Sequence, residues 1–167
     1  MRKKVNLALL ISSILVFAMV VIIFAFSTQQ GKSSVGISGN IVDYLIQRLG
    51  LGDFIGNNEL IYDNRNYIFR KILHFTEYAI LAGLMINLLS LLKSLKLIRI
   101  RTRHITLMTA LFALMVASAD EFYQSHIPGR TPRIQDVLID TSGAIAAILI
   151  ILLCKKIFDK FKKDGAF

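Results

Sequence analysis

The chain has 167 residues, 54% of them apolar, with 20 Lys and Arg against 11 Asp and Glu for a net charge of +9, one cysteine and no tryptophan. That length makes one domain, and so apolar a composition excludes intrinsic disorder and argues against a water-soluble globule. The single Cys154 excludes an internal disulfide and a zinc site built on several thiolates, and the basic residues fall beside apolar runs instead of lining one face, so nucleic acid is not an expected partner.

Four membrane spans are expected, at about 5–26, 72–92, 105–119 and 137–154. The first is 22 residues without a charge, about 33 Å as a helix and enough to cross a roughly 30 Å hydrocarbon core. Arg2-Lys3-Lys4 before it and Ala25-Phe26-Ser27 at its end suit a cleavable leader, but the run exceeds the about 7 to 15 apolar residues of such leaders, so it reads as a retained span. An outer loop, 27–71, follows, rich in Gly, Ser and Asn. Within it Ile41, Val42, Leu45, Ile46 and Leu49 recur at helical spacing, which predicts a short amphipathic helix on the membrane surface or against the bundle. Gly50, Gly52 and Gly56 mark turns, and a helix is expected to begin ahead of Arg70.

The second span carries His74 and Glu77 near its start. The third has 15 residues, about 22 Å, so either the bilayer thins around it or Asp120 and Glu121, which follow directly, stand at hydrocarbon depth. Pro128-Gly129-Arg130 predicts a turn, and the fourth span contains Asp140 in its first turn.

Orientation follows from the basic residues flanking the spans. Arg2, Lys3 and Lys4, then Lys93, Lys96, Arg99, Arg101 and Arg103, then Lys155, Lys156, Lys160, Lys162 and Lys163 fall on one side, which the positive-inside rule makes cytoplasmic. The expected fold is therefore an all-α membrane protein, a four-transmembrane-helix bundle with both termini cytoplasmic and one substantial extracytoplasmic loop.

In that topology His74, Glu77, Asp120, Glu121 and Asp140 all land in the outer third of the membrane. An ionised group in hydrocarbon costs at least roughly 2.5 to 3.5 kcal/mol, so several at one level are expected to face each other or a water-filled pocket. Residues three, four or seven apart share a helix face, which groups Arg70 with His74 and Glu77, Asp120 with Gln124 if the third helix continues, and Asp136 with Asp140. Arg130 and Arg133 follow the turn, and arginine's planar fork suits carboxylate or phosphate. Glu77, Asp120, Glu121, Asp136 and Asp140 outnumber Arg70, Arg130 and Arg133 by two. Protonation of His74 and of one carboxyl can remove that excess, as can a divalent cation, which favours hard oxygen ligands. Tyr62, Tyr67 and Tyr123 suit an interfacial belt, and His126 a solvent-exposed loop. No Ser-His-Asp order, phosphate-cradling glycine loop or paired-cysteine motif is present.

The run Phe26-Ser27-Thr28-Gln29, Lys71 with His74-Phe75 and Glu77-Tyr78, Asp120-Glu121 with Gln124 and Pro128-Gly129-Arg130, and Asp136-Val137 with Asp140 and Gly143 resembles the VanZ-like family over nearly the whole chain. The part from Asp120 to Asp140 is the most specific. The resemblance implies a small bacterial inner or plasma membrane protein, from a family of which some members are implicated in resistance to the glycopeptide teicoplanin, and it implies no particular reaction. The chain departs from the family pattern at Tyr123, where many relatives carry His, and at His126, where an aromatic is common.

Two functions of different class follow. In the first, a polar pocket opening outward binds a membrane lipid or lipid-linked cell-envelope ligand by a phosphate-bearing headgroup. His74, Glu77, Asp120 and Glu121 are its candidate catalytic residues, Arg70, Gln124, Arg130, Asp136 and Asp140 its candidate binding residues, with Gln29 added by the resemblance. No cofactor is expected beyond the optional divalent cation. In the second, the charges only fix helix register, and the protein is a non-catalytic accessory that alters drug access or assists an envelope partner through the 27–71 loop. Transport is disfavoured, because the inner halves of the spans, with Asn87 and Ser90 among their few polar residues, offer no ionisable relay.

Overall fold

The computed structural model describes residues 2–28, 44, 46–48, 50, 59–127 and 133–163. They form four long helices, α1 (Arg2–Thr28), α2 (Glu59–Ser94), α3 (Thr102–Gln124) and α4 (Ile134–Lys163), and no strand occurs among the described residues. Each helix is long and apolar enough to cross a membrane. A helix closes its backbone hydrogen bonds within itself, which suits these sequences to a medium that offers no water.

The inward faces follow helical spacing. Ser12, Val16, Met19, Ile23 and Ser27 are the buried stripe of α1, and His74, Tyr78, Leu81, Ala82 and Leu89 that of α2. In α3 the stripe runs through Ile105, Thr109, Ala113, Val116, Ala117, Asp120, Glu121 and Gln124, and in α4 through Asp140, Gly143, Ala144 and Ile148. The outward faces are apolar as well, with Phe17, Leu111, Phe122 and Leu149 among the exposed residues. In lipid both faces are greasy, so small and polar side chains mark the inside, where they let backbones approach.

Helix α2 packs along α4 over the longest seam, α3 touches all three others, and α1 lies against α2 and α3 away from α4. Gly143 sets the α2–α4 approach, since a Cβ there would stand 2.2 Å from the Phe75 carbonyl oxygen. Ile23, Tyr78, Leu81, Ala82, Ala113, Ala117 and Ala144 form the apolar centre. Toward one end of the bundle, Asn87 Nδ2 donates to Ser12 Oγ at 3.2 Å and Lys93 Nζ to Thr102 Oγ1 at 3.1 Å. Toward the other end the polar residues gather.

All four helices outrun the expected spans, most informatively α3. It continues through Asp120, Glu121 and Gln124 to reach 23 residues, about 34 Å, so it needs no thinned bilayer to cross. Gly50 has φ +67° and its N–H donates to Gln47 O at 3.2 Å, one of the expected turns. Most of the amphipathic segment 41–49, the Pro128-Gly129-Arg130 turn, and the candidate residues Gln29 and Arg130 lie outside the described residues.

Candidate functional site

The end of α1, the middle of α2, the end of α3 and the start of α4 meet at one level. Hydrophobic packing alone would fill that space with aliphatic side chains, but each helix contributes a polar one on its inward stripe. Asp120 is 1% exposed, and its Oδ2 accepts from Ser27 Oγ at 2.7 Å and from Gln124 Nε2 at 2.7 Å. Gln124 Nε2 also lies 3.2 Å from Ser27 Oγ, so the three side chains close a small ring across α1 and α3. Two donors on one oxygen fix the plane of the carboxylate.

His74, Asp120 and Asp140, from α2, α3 and α4, are all buried, and each presents one ligand atom within 4.8 Å of those of the other two. Beside them, His74 Nδ1 stands 3.6 Å from Glu77 Oε2, too long for a direct hydrogen bond. Tyr78 is fully buried, its hydroxyl makes no hydrogen bond with a described residue, and it lies within electrostatic reach of Asp140, Asp120, Glu77 and Glu121. Glu121 is also buried, and its Oε1 accepts the backbone N–H of Arg133, which ties the end of α3 to the start of α4. At the rim, Lys71 Nζ pairs with Asp136 Oδ1 and stands 5.2 Å from the Tyr67 ring centroid.

The candidate residues thus divide. His74, Glu77, Asp120, Glu121, Gln124 and Asp140 come together, and Asp136 stands beside them through its ion pair. Arg70 forms no ion pair among the described residues; the cation bridging α2 to α4 is its neighbour Lys71. Arg133 contributes its backbone, while its residue as a whole is exposed. His126 is exposed and rests on Phe122, ring centroids 4.8 Å apart. Tyr123 packs edge-on against Phe24 at 5.9 Å and joins Val20, Val21, Phe24 and Ala25 in an apolar groove between α1 and α3. A histidine at position 123 would therefore belong to this groove side of α3.

Reasoning by spacing missed Ser27, Lys71 and Tyr78 as neighbours of the cluster. The signal for the last two was the pattern 71, 74, 78, 81 and 82, a helical stripe one residue out of phase with 70, 74 and 77. Ser27, at the end of an uncharged run, carried no such signal in spacing.

A family model described as VanZ/LLP1 matches residues 12–155, most of the chain, and the chain belongs to that family. No curated protein and no solved structure matches it.

Proposed function

Because the chain is a multi-pass membrane protein of the VanZ/LLP1 family, we propose that it binds a phosphate-bearing or cell-envelope lipid headgroup in a polar pocket at the outer end of the bundle. Both termini face the cytoplasm in this reading, which the thirteen basic residues on one side of the spans support. The observation that carries it is the convergence of buried His74, Asp120 and Asp140 from three separate helices, with Tyr78, Glu77 and Glu121 around them. Keeping so many ionisable groups in a bundle of membrane-spanning helices is costly, and such clusters mark ligand sites. The groove of Val20, Val21, Phe24, Ala25 and Tyr123 supports a lipid in particular. It flanks Ser27 and Gln124 in sequence, so an acyl chain seated there would bring its headgroup to the level of the cluster.

The test is to purify the protein in mild detergent and identify the co-purifying lipids by mass spectrometry. One headgroup class should be enriched with the wild type and fall at least about tenfold with Asp120→Asn and with Glu121→Gln, at equal protein level and unchanged elution volume. A lipid profile identical in wild type and variants overturns the proposal. In cells, glycopeptide resistance that persists in Asp120→Asn, Glu121→Gln and Arg130→Gln alike would instead favour the accessory role, carried by the segment between α1 and α2.

A further inference from the structure

We infer that His74, Asp120 and Asp140 form a binding site for a divalent cation of the Zn2+ or Mn2+ class. Three atoms no more than 4.8 Å apart share a point at most about 2.8 Å from each, so sub-ångström side-chain shifts bring all three to the roughly 2.0–2.6 Å of metal coordination. One imidazole nitrogen with two carboxylate oxygens is the donor set of a borderline ion; all-oxygen cages suit Ca2+ or Mg2+ better. Three ligands from the protein also leave coordination positions open for a further group.

The surroundings have the form that metal sites take. Ser27 and Gln124 hold Oδ2 of Asp120, as outer partners fix a ligating carboxylate. Two further observations point to a ligand. Asp140 is 5% exposed and accepts no hydrogen bond from a described residue, with Lys71 acting on it only from a distance, and the Tyr78 hydroxyl, wholly buried among the acids, makes none with a described residue. Buried polar groups ordinarily find partners, and an ion at the common point would give Asp140 one.

The cation also gives an acidic cluster a means of holding an anion. Asp120, Asp140, Glu77 and Glu121 repel phosphate by themselves, whereas an ion with open positions offers phosphate oxygens a positive anchor. This second part rests on the headgroup reading; the ion site does not.

The experiment uses the full chain in detergent, stripped with a chelator and titrated with Zn2+ alone and Mn2+ alone by calorimetry, with stoichiometry from elemental mass spectrometry. One ion per chain is expected. His74→Ala, Asp120→Asn and Asp140→Asn should each abolish detectable binding, and Ser27→Ala, outside the ligand set, should weaken it about 10- to 100-fold. Should those variants fail to fold, X-ray absorption on the zinc-loaded wild type decides. A nitrogen and oxygen shell with imidazole scattering supports the site, and a sulfur ligand, which only Cys154 or a methionine could give, overturns it. Absence of stoichiometric binding, or affinity unchanged in folded variants, also overturns it. If lipid still co-purifies with a chain that binds no ion, the headgroup reading survives alone; if the ion binds and no lipid does, the cation site survives alone.

Discussion

Gly143 lies where α4 presses on the backbone of α2, and the fit has no room for a methyl group. A Cβ would come within 2.2 Å of the Phe75 carbonyl oxygen and 2.9 Å of its carbon, both backbone atoms that cannot swing aside as a side-chain tip would. Gly143→Ala should therefore separate the two helices one residue from His74 and one turn from Asp140, at a cost of about 1–3 kcal/mol. Gly83, also in mid-helix, has nothing within 4 Å of its would-be Cβ, so Gly83→Ala should be neutral or stabilise by up to about 1 kcal/mol. Thermal unfolding of the two variants in one detergent separates the effects, and equal midpoints would show that the close approach carries no weight. Single residues also show what spacing can and cannot reveal. Asp120 and Gln124 were legible as a pair because a continuing helix puts them on one face, and the structure joins them at 2.7 Å. Spacing groups Arg70, and not Lys71, with His74 and Glu77, because a helix turns 100° per residue and an uncertain face tolerates that much error. Only the packing of α4 shows which cation meets Asp136.

At the level of the element, the ends of the helices carry the information that hydropathy lacks. Apolar runs located four spans, yet α3 runs five residues past its last aliphatic stretch because Asp120, Glu121 and Gln124 face the bundle and remain helical. Hydropathy treats a buried aspartate as a boundary, whereas a satisfied one is part of the span. The end of α2 shows a different device. Leu97 N–H donates to Leu92 O and Lys96 N–H to Lys93 O, both at 3.0 Å, the paired bonds of a Schellman cap, with Lys96 in the left-handed region at φ 57°. Glycine fills that position at no steric cost, and a lysine there is strained by roughly 1–2 kcal/mol. Lys96→Gly should raise stability by about 1 kcal/mol in thermal melts, less whatever the freer unfolded chain takes back. A lower midpoint would mean that the lysine side chain contributes more than its backbone costs. Nothing in the run Ser94-Leu95-Lys96-Leu97 announced this turn, because glycine, the usual signal, is missing from it.

For the whole molecule, the decisive property is which way the bundle faces, because it determines whether the polar cluster meets the envelope or the cytoplasm. Four crossings put both described ends on one side with the α2–α3 connection, and all thirteen basic residues of those segments accumulate there. Toward the opposite end, where α1 and α3 finish and α4 begins, stand His74, Glu77, Asp120, Glu121 and Asp140. The positive-inside rule acts on this K and R asymmetry and not on net charge, so the acids at the other end do not weaken it. Cys154, the only native thiol, is exposed on α4 and is first replaced by Ser. In that background Lys96→Cys and Lys160→Cys should react with a membrane-impermeant maleimide only after cells are permeabilised, while Ser34→Cys should react in intact cells. The reverse pattern would turn the bundle over, bring the cluster to the cytoplasmic surface and remove the extracytoplasmic headgroup from consideration, while leaving the cation site, which depends only on how α2, α3 and α4 meet, untouched.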